Sequence, residues 1–174
     1  MYEEFLLFGL LYSCGSLKSK NRIEIQTKRK ELANILYEFA KKIAKTKIKA
    51  KKFYTITIKN NFKKNFNVGL EKNKLPLEIL DNEEKIKNFL QGFFEGKSSI
   101  SIRKKIIKIS GKKEILIQLK YLLDRINIKA NIYKTGKYYS LYIEGKNRCR
   151  IFRDKINFIS KEKREILEKL INYY

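Results

Sequence analysis

The sequence predicts an α+β protein made of two copies of one unit, helix, two strands, helix, two strands, helix. Three observations predict it. An apolar pattern recurs at an offset of 83 residues, which carries Gly9 onto Gly92, Leu32 onto Ile115, Leu36 onto Leu119, Phe39 onto Leu122, Ala40 onto Leu123, Ile56 onto Tyr139 and Ile58 onto Leu141. Within each half the apolar period switches between helical and extended spacing. The first helix of each half carries small residues four apart, Gly9 with Ser13 and Gly92 with Gly96, among large apolar neighbours.

Each element follows from its local pattern. Residues 2–13 are almost wholly apolar and read as a buried helix. Residues 16–20 suit a short strand, and 22–26 alternate as a half-buried strand does. Leu32, Ile35, Leu36, Phe39 and Ile43 keep the spacing of an amphipathic helix. Residues 47–51 alternate again, and Tyr54, Ile56 and Ile58 mark a strand facing the core. Residues 60–80 form a less regular connector with the sole proline, Pro76, and some helix. In the second half, 83–96 is the helix, 99–103 and 105–110 are strands, and 115–126 is helical. Residues 128–134 and 138–143 read as a hairpin through Thr135 and Gly136. Helices at 148–158 and 161–173 follow, with Ser160 as N-cap of the last. The first repeat with its linker is 1–80 and the second is 81–174.

Gly costs about 1 kcal/mol inside a helix relative to Ala, so two matched glycines need a reason. Small residues on one helix face let two backbones approach. Gly9, Ser13, Gly92 and Gly96 therefore predict a helix–helix crossing at the middle of the molecule.

Charge restricts function further. Lys and Arg number 41 against 18 Asp and Glu, a formal net charge of +23. Such an imbalance repels itself, and a polyanion relieves it; nucleic acid comes first and an anionic membrane second. An AT-rich genome inflates Lys, Ile, Asn, Tyr and Phe together, but it does not explain the shortage of acids. Histidine is absent, which excludes His general bases, His triads and Cys/His zinc sites. Cys14 and Cys149 have no metal-ligand spacing. No run is long and apolar enough for a membrane span. Glu3 and Glu4 stand where a signal peptide is positive. The expectation is a cytosolic monomer with internal pseudo-twofold symmetry, a nucleic-acid partner and no membrane.

Leu7-Phe8-Gly9-Leu10-Leu11-Tyr12-Ser13-Cys14-Gly15-Ser16 and Leu90-Gln91-Gly92-Phe93-Phe94-Glu95-Gly96-Lys97-Ser98-Ser99 resemble two copies of the LAGLIDADG motif. Leu75-Pro76-Leu77-Glu78-Ile79-Leu80 is similar to the linker of archaeal single-chain members. Ile143-Glu144-Gly145-Lys146 through Phe152, Ile156, Phe158, Lys163 and Leu167 also resembles that family of homing endonucleases. The resemblance implies two αββαββα repeats, motif helices packed at the centre, and two antiparallel sheets forming a saddle for DNA. It also implies one acid at the foot of each motif helix, holding divalent metal for phosphodiester hydrolysis.

The chain departs at those acids, which are Cys14 and Lys97. Mg²⁺ wants hard oxygen ligands, and a thiol is soft. Lys97 places a cation where the metal belongs. Glu95 is the fallback ligand, but it lies two residues before Lys97, roughly 200° around a helix, and its counterpart is Tyr12. No metal or other cofactor is expected unless an active nuclease uses displaced ligands and Mg²⁺. Lys97 instead suits a phosphate contact or drift after catalysis lapsed.

Strand alternation predicts the binding surface. From the first half it takes Arg22, Glu24, Gln26, Lys47, Lys49, Lys51, Thr55, Thr57 and Lys59. From the second it takes Ser99, Ser101, Arg103, Lys108, Lys129, Asn131, Tyr133, Tyr138, Ser140 and Tyr142. Glu24 is the one acid in this set. The function expected is a cleavage-dead nucleic-acid-binding protein, structured RNA slightly ahead of duplex DNA because the surface is Lys-rich and bears tyrosines. An active endonuclease, a DNA-binding transcription regulator and a ribonucleoprotein component held by charge are the alternatives.

Overall fold

A computed structural model describes residues 3–19, 22–59 and 73–173. The central element is α1 (Glu3–Cys14), whose residues from Phe5 to Leu11 are all buried. A helix apolar on every side is stable only when other elements surround it. β1 (Gly15–Ser19) and β2 (Arg22–Thr27) follow, then α2 (Lys30–Ile43), β3 (Lys45–Ala50) and β4 (Tyr54–Lys59). The first sheet has the order β1-β2-β4-β3 and is antiparallel throughout. Ile23, Ile25, Ile56 and Ile58 face inward, where α2 packs through Leu32, Ala33, Leu36 and Ala40.

The described part of the connector, from residue 73, includes one 3₁₀ turn, Leu77–Ile79. The part of the connector at 60–72, expected to contain some helix, lies outside the described residues. The second repeat opens with α3 (Glu83–Lys97), capped by Asn82, whose side-chain oxygen accepts the Lys85 N–H at 3.0 Å. β5 (Ser99–Ser101), β6 (Ile106–Gly111), α4 (Lys113–Arg125), β7 (Asn131–Thr135) and β8 (Tyr138–Glu144) repeat the first order. Their sheet runs β5-β6-β8-β7, the same topology as the first. α5 (Lys146–Lys155) and α6 (Lys161–Asn172) close the chain and bury Phe152, Phe158, Leu167 and Leu170.

Several predicted boundaries shift. β5 ends at Ser101, so Arg103 lies in a turn, and β7 begins at Asn131, so Lys129 precedes it. The hairpin loop is Gly136 and Lys137, because Thr135 pairs with Tyr138, and Gly136 takes φ +62°. β8 extends to Glu144, one residue beyond the alternation read from the sequence. The repeat offset also drifts. Ile25 lies opposite Ile56 while Ile109 lies opposite Leu141, so Ile56 corresponds to Leu141 rather than to Tyr139. Likewise Ile58 corresponds to Ile143 rather than to Leu141. The stretch between the first two strands is one residue longer in the second repeat, and that between the second and fourth strands is longer by one more, which the sequence phase alone does not reveal.

α1 and α3 meet at their glycines. A Cβ on Gly9 would overlap the Phe89 carbonyl oxygen and come within 2.6 Å of Phe93 N. A Cβ on Gly92 would overlap the Leu6 carbonyl oxygen and come within 2.9 Å of Leu10 N. Leu6 and Phe89 are themselves repeat equivalents, so the contact is reciprocal about a local twofold. One turn on, Gly96 leaves room for the Ser13 side chain. Tyr12 and Phe89 rings meet edge-on at 5.8 Å across the same seam.

Gly92→Ala is expected to destabilise the protein by the upper end of the ~1–3 kcal/mol seen for overpacking or more, because backbone must move. Gly136→Ala meets open space and pays only for its positive φ, about 1 kcal/mol. Urea unfolding of both variants checks the contrast, and equal losses would rule out backbone contact as the constraint.

Candidate nucleic-acid interface

Each sheet follows directly from the foot of a central helix, β1 from α1 and β5, after Ser98, from α3. Because Ser13 and Gly96 touch, β1 and β5 start side by side at the local twofold, with β3 and β7 at the outer edges. The helices cover the inner face of each sheet, and among the described residues no element covers the other face.

Register fixes what that open face carries. On the first sheet, Lys45, Lys59 and Arg22 form one row, Lys47, Thr57, Glu24 and Ser16 the next, and Lys49, Thr55 and Gln26 the third. Arg22, Gln26, Lys45, Lys47, Lys49 and Lys59 are exposed, and Thr55 and Thr57 are half-buried. Arg22 pairs with Glu24, so the row's sole carboxylate is already neutralised. Lys45 was missed in the sequence because the strand begins two residues earlier than its alternation suggested. Lys51 sits just beyond β3, exposed but off the rows.

The second sheet presents different chemistry. Ser99, Lys108, Tyr142 and Asn131 form one row, and Ser110, Ser140 and Tyr133 the next. Ser140 corrects the expectation of an available contact. It is 2% exposed, and its hydroxyl shares a 2.8 Å hydrogen bond with that of Ser110. Glu144 is a second acid on this face, contrary to the count from the sequence. Its carboxylate accepts from Asn131 Nδ2 at 2.8 Å and from the Tyr133 hydroxyl at 3.1 Å. Tyr133 and Tyr142 rings lie 5.4 Å apart, and Lys108 Nζ stands 5.6 Å over Tyr142. Tyr133 is 47% exposed and Tyr138 75%. Ser101 is half-buried and Ser99 exposed. Exposed Arg103, in the turn after β5, and exposed Lys129, just before β7, flank the sheet, and Lys129 Nζ lies 3.4 Å from the Asp124 carboxylate.

At the helix feet, the Cys14 thiol donates back to the Leu10 carbonyl at 3.1 Å. Burial raises its pKa above the usual thiol value, against the pull of Ser13, Arg29, Lys97 and Lys163. Lys97 is exposed and borders two clefts. One, about 560 Å³, includes Tyr12, Ser16 and Lys112; the other, about 320 Å³, includes Arg29, Glu95 and Lys163. These donors do not fit the hard divalent ion that the motif's acids would hold. A hydrogen-bonded thiol and an ammonium supply no carboxylate oxygen. Among the described residues no three Cys, Asp or Glu side chains converge as a metal cluster.

Glu95 is bound elsewhere. It is 0% exposed, and Oε1 accepts from Arg29 Nη1 at 2.7 Å and the Ser160 hydroxyl at 2.8 Å. Oε2 accepts the backbone N–H groups of Ile159 at 2.8 Å and Ser160 at 3.1 Å. Ser160 therefore stands at the start of α6 with its hydroxyl on Glu95 rather than capping its own helix. Arg29 Nη2 also reaches the Glu95 carbonyl at 3.1 Å, which ties the first repeat to the second. Lys163 Nζ caps the end of α3, donating to the carbonyls of Phe94 at 3.1 Å, Glu95 at 2.8 Å and Ser98 at 2.8 Å. Burial raises the Glu95 pKa, but Lys163, Ser160 and Arg29 outweigh it and hold the carboxyl below its usual value. Burial lowers Lys163 to about 8, partly offset by Glu95. Sequence reasoning missed Arg29 altogether, since nothing in its spacing distinguishes it from the other cations.

Comparison with known proteins agrees with this geometry. Residues 84–157 match the LAGLIDADG-like domain. A probable translation initiation factor IF-2 of Thermococcus kodakarensis is 36% identical over 87 residues, 49% of this chain and 8% of that protein. The DNA-directed RNA polymerase subunit Rpo1C of Methanocaldococcus jannaschii is 29% identical over 92 residues, 52% of this chain and 11% of that protein. The chain thus spans about a tenth of the curated relatives it matches. Among solved structures, the homing endonuclease I-WcaI bound to its DNA recognition sequence matches with TM-score 0.72 at 15% identity, over 95% of this chain and 85% of that one. I-DmoI in complex with DNA and Mn matches with TM-score 0.62 at 18% identity, over 89% and 96%. The N-terminal LAGLIDADG domain of WhiA matches with TM-score 0.69 at 17% identity, over 97% and 88%. The class is a mixed helix-and-sheet protein of two pseudo-symmetric halves. Within it, this chain has the LAGLIDADG homing-endonuclease-like fold, with both motif acids replaced.

The Glu95 network makes a stability prediction. A carboxyl held below about 4.5 in the fold contributes stability that is present above that pH and lost as pH falls through the folded value. Glu95→Gln leaves Arg29 and Lys163 without their counter-charge and is expected to cost roughly 3–5 kcal/mol near neutrality. In denaturant titrations across pH the gap to wild type should narrow on the acid side. A gap constant with pH would show that the charge of Glu95 is not what matters.

Proposed function

We propose that the chain binds nucleic acid across the open face of its two sheets, as a monomer, and does not cleave it. The observation that carries this reading is the first sheet: five exposed cations in register, Arg22, Lys45, Lys47, Lys49 and Lys59, against Glu24, which Arg22 already neutralises. An ordinary solvated face mixes charges, whereas rows of Lys interleaved with Thr and Gln suit phosphate oxygens and base edges. The same fold is bound to DNA in I-WcaI and I-DmoI. The curated relatives argue for a transferable module. One initiates translation and another belongs to RNA polymerase, and the match covers a small part of each.

Loss of cleavage follows from donor chemistry. A two-metal cut needs oxygen ligands on both sides of the scissile phosphate. Cys14 and Lys97 offer none, and Glu95 has every lone-pair direction engaged by Arg29, Ile159 and Ser160. Lys97 instead contacts phosphate as a point charge. Structured RNA is preferred over plain duplex DNA, because the second sheet offers tyrosine where duplex readout uses Arg, Asn and Gln.

Binding should weaken steeply with salt. Lys47→Ala, Lys49→Ala and Lys59→Ala together should reduce the log–log salt slope by up to about 2.7 on a duplex, if each side chain releases one counterion. Fluorescence anisotropy across a salt series measures it. An unchanged slope places the surface elsewhere. Incubation of labelled target with Mg²⁺ or Mn²⁺ should return intact strands, and a site-specific cut would refute the non-cleaving reading.

A further inference from the structure

The two sheets are not equivalent, although they share one topology. The open face of the first carries five cations and one acid, counted above. Along the strands of the second, the charged side chains on that face are Lys108 and Glu144, which balance, and the dominant groups are rings. Tyr133 and Tyr138 are the exposed ones, at 47% and 75%. A large exposed aromatic costs free energy in water unless something covers it. These rings are also not randomly placed. Tyr133 is held on its edge by Glu144 at 3.1 Å and braced against Tyr142, with Lys108 over the Tyr142 ring. Tyr133 fixed in this way is a preorganised ring, and Tyr138 stands exposed on the same face.

Cations without rings bind the backbone of any strand. Rings without cations bind base faces, and in a duplex those faces are stacked out of reach. We infer that the two sheets divide the work: the first grips a duplex by its phosphates, and the second stacks Tyr133 and Tyr138 on unpaired bases beside that duplex. The partner is therefore a nucleic acid with a junction between paired and unpaired segments, such as a stem with a loop or a single-stranded extension.

Dimensions agree. The lysine rows lie toward β3 and the tyrosines toward β7, the two outer edges of the paired sheets. With strands roughly 4.8 Å apart, each four-stranded sheet is about 14 Å across, and the two together cover on the order of 30 Å. That is about one helical turn of duplex. A junction within a turn of the grip therefore reaches the aromatic end. This inference rests on the proposed binding face and specifies what lies on each part of it.

The test titrates the full chain against two labelled probes by fluorescence anisotropy, each made in RNA and in DNA. One is a blunt duplex of about one and a half turns; the other is the same duplex with a short unpaired extension. Wild type should bind the extended probe roughly tenfold or more tightly than the blunt one in at least one of the two sugars, as stacking of one or two bases supplies. Tyr133→Ala with Tyr138→Ala should remove that preference, so that the blunt and extended probes bind alike. Tyr133→Phe with Tyr138→Phe should restore most of it, since stacking needs the ring and only the Tyr133 bond to Glu144 is lost. Lys47→Ala with Lys49→Ala should weaken both probes alike. Equal affinity for blunt and extended probes in both sugars overturns the inference while leaving the binding face intact. Failure to bind either probe overturns the binding face itself.

Discussion

Two helix backbones in contact set the geometry of everything else. At Gly9 and Gly92 the α1 and α3 main chains approach until no Cβ can fit between them. A helix pays entropy to hold glycine, so this closeness must be returned as packing. It is returned by Phe89, Tyr12 and the wholly buried stretch of α1 around it. Since each glycine touches the turn that holds the other's repeat equivalent, one contact made twice fixes the local twofold. The sheets hang from the feet of those helices and inherit that symmetry.

Symmetry at the crossing does not extend to the polar groups beneath it. In the second repeat Glu95 is fully buried and fully bonded, by Arg29 from the first repeat and by the start of α6. In the first repeat the equivalent position is Tyr12, which packs on Phe89. Burying a carboxylate is tolerable only with compensating donors, and four groups provide them here. The same network uses Lys163 to terminate α3. The end of α3, where this fold would present a metal-binding acid, is instead fastened to the C-terminal helices. That change and the substitution of Cys14 and Lys97 go together: the foot of the helix serves cohesion, and the exposed sheets carry the surface chemistry.

The sheets then diverge. Both keep Ile and Leu faces toward the helices, because the core demands it of either repeat. The open faces are free of that demand, and they have separated into a cationic one and an aromatic one. Lys45, Lys47 and Lys49 on an outer strand also discourage edge-to-edge association, since an exposed strand flanked by like charges pairs poorly with a copy of itself.

The sequence by itself determined the fold class, the duplication, the order of elements and the crossing of the glycine helices. These rest on periodicity and on residue types that only one backbone geometry suits. Resemblance to the LAGLIDADG motif singled out Cys14 and Lys97 as the positions of its acids, and neither side chain is a hard oxygen donor. Register and length were less legible. Two extra residues, one between the first two strands and one between the second and fourth, moved the strand correspondence from Tyr139 to Leu141, and one residue more of β8 brought Glu144 onto the face. Ser140 alternates outward as the sequence says, yet neighbouring side chains cover it. Burial depends on what stands beside a residue in space, which a strand's own pattern cannot encode. Arg29 and Glu95 are 66 positions apart and meet only because the two repeats fold against each other. Tertiary structure alone decided that contact, and with it the role of the one buried carboxylate among the described residues.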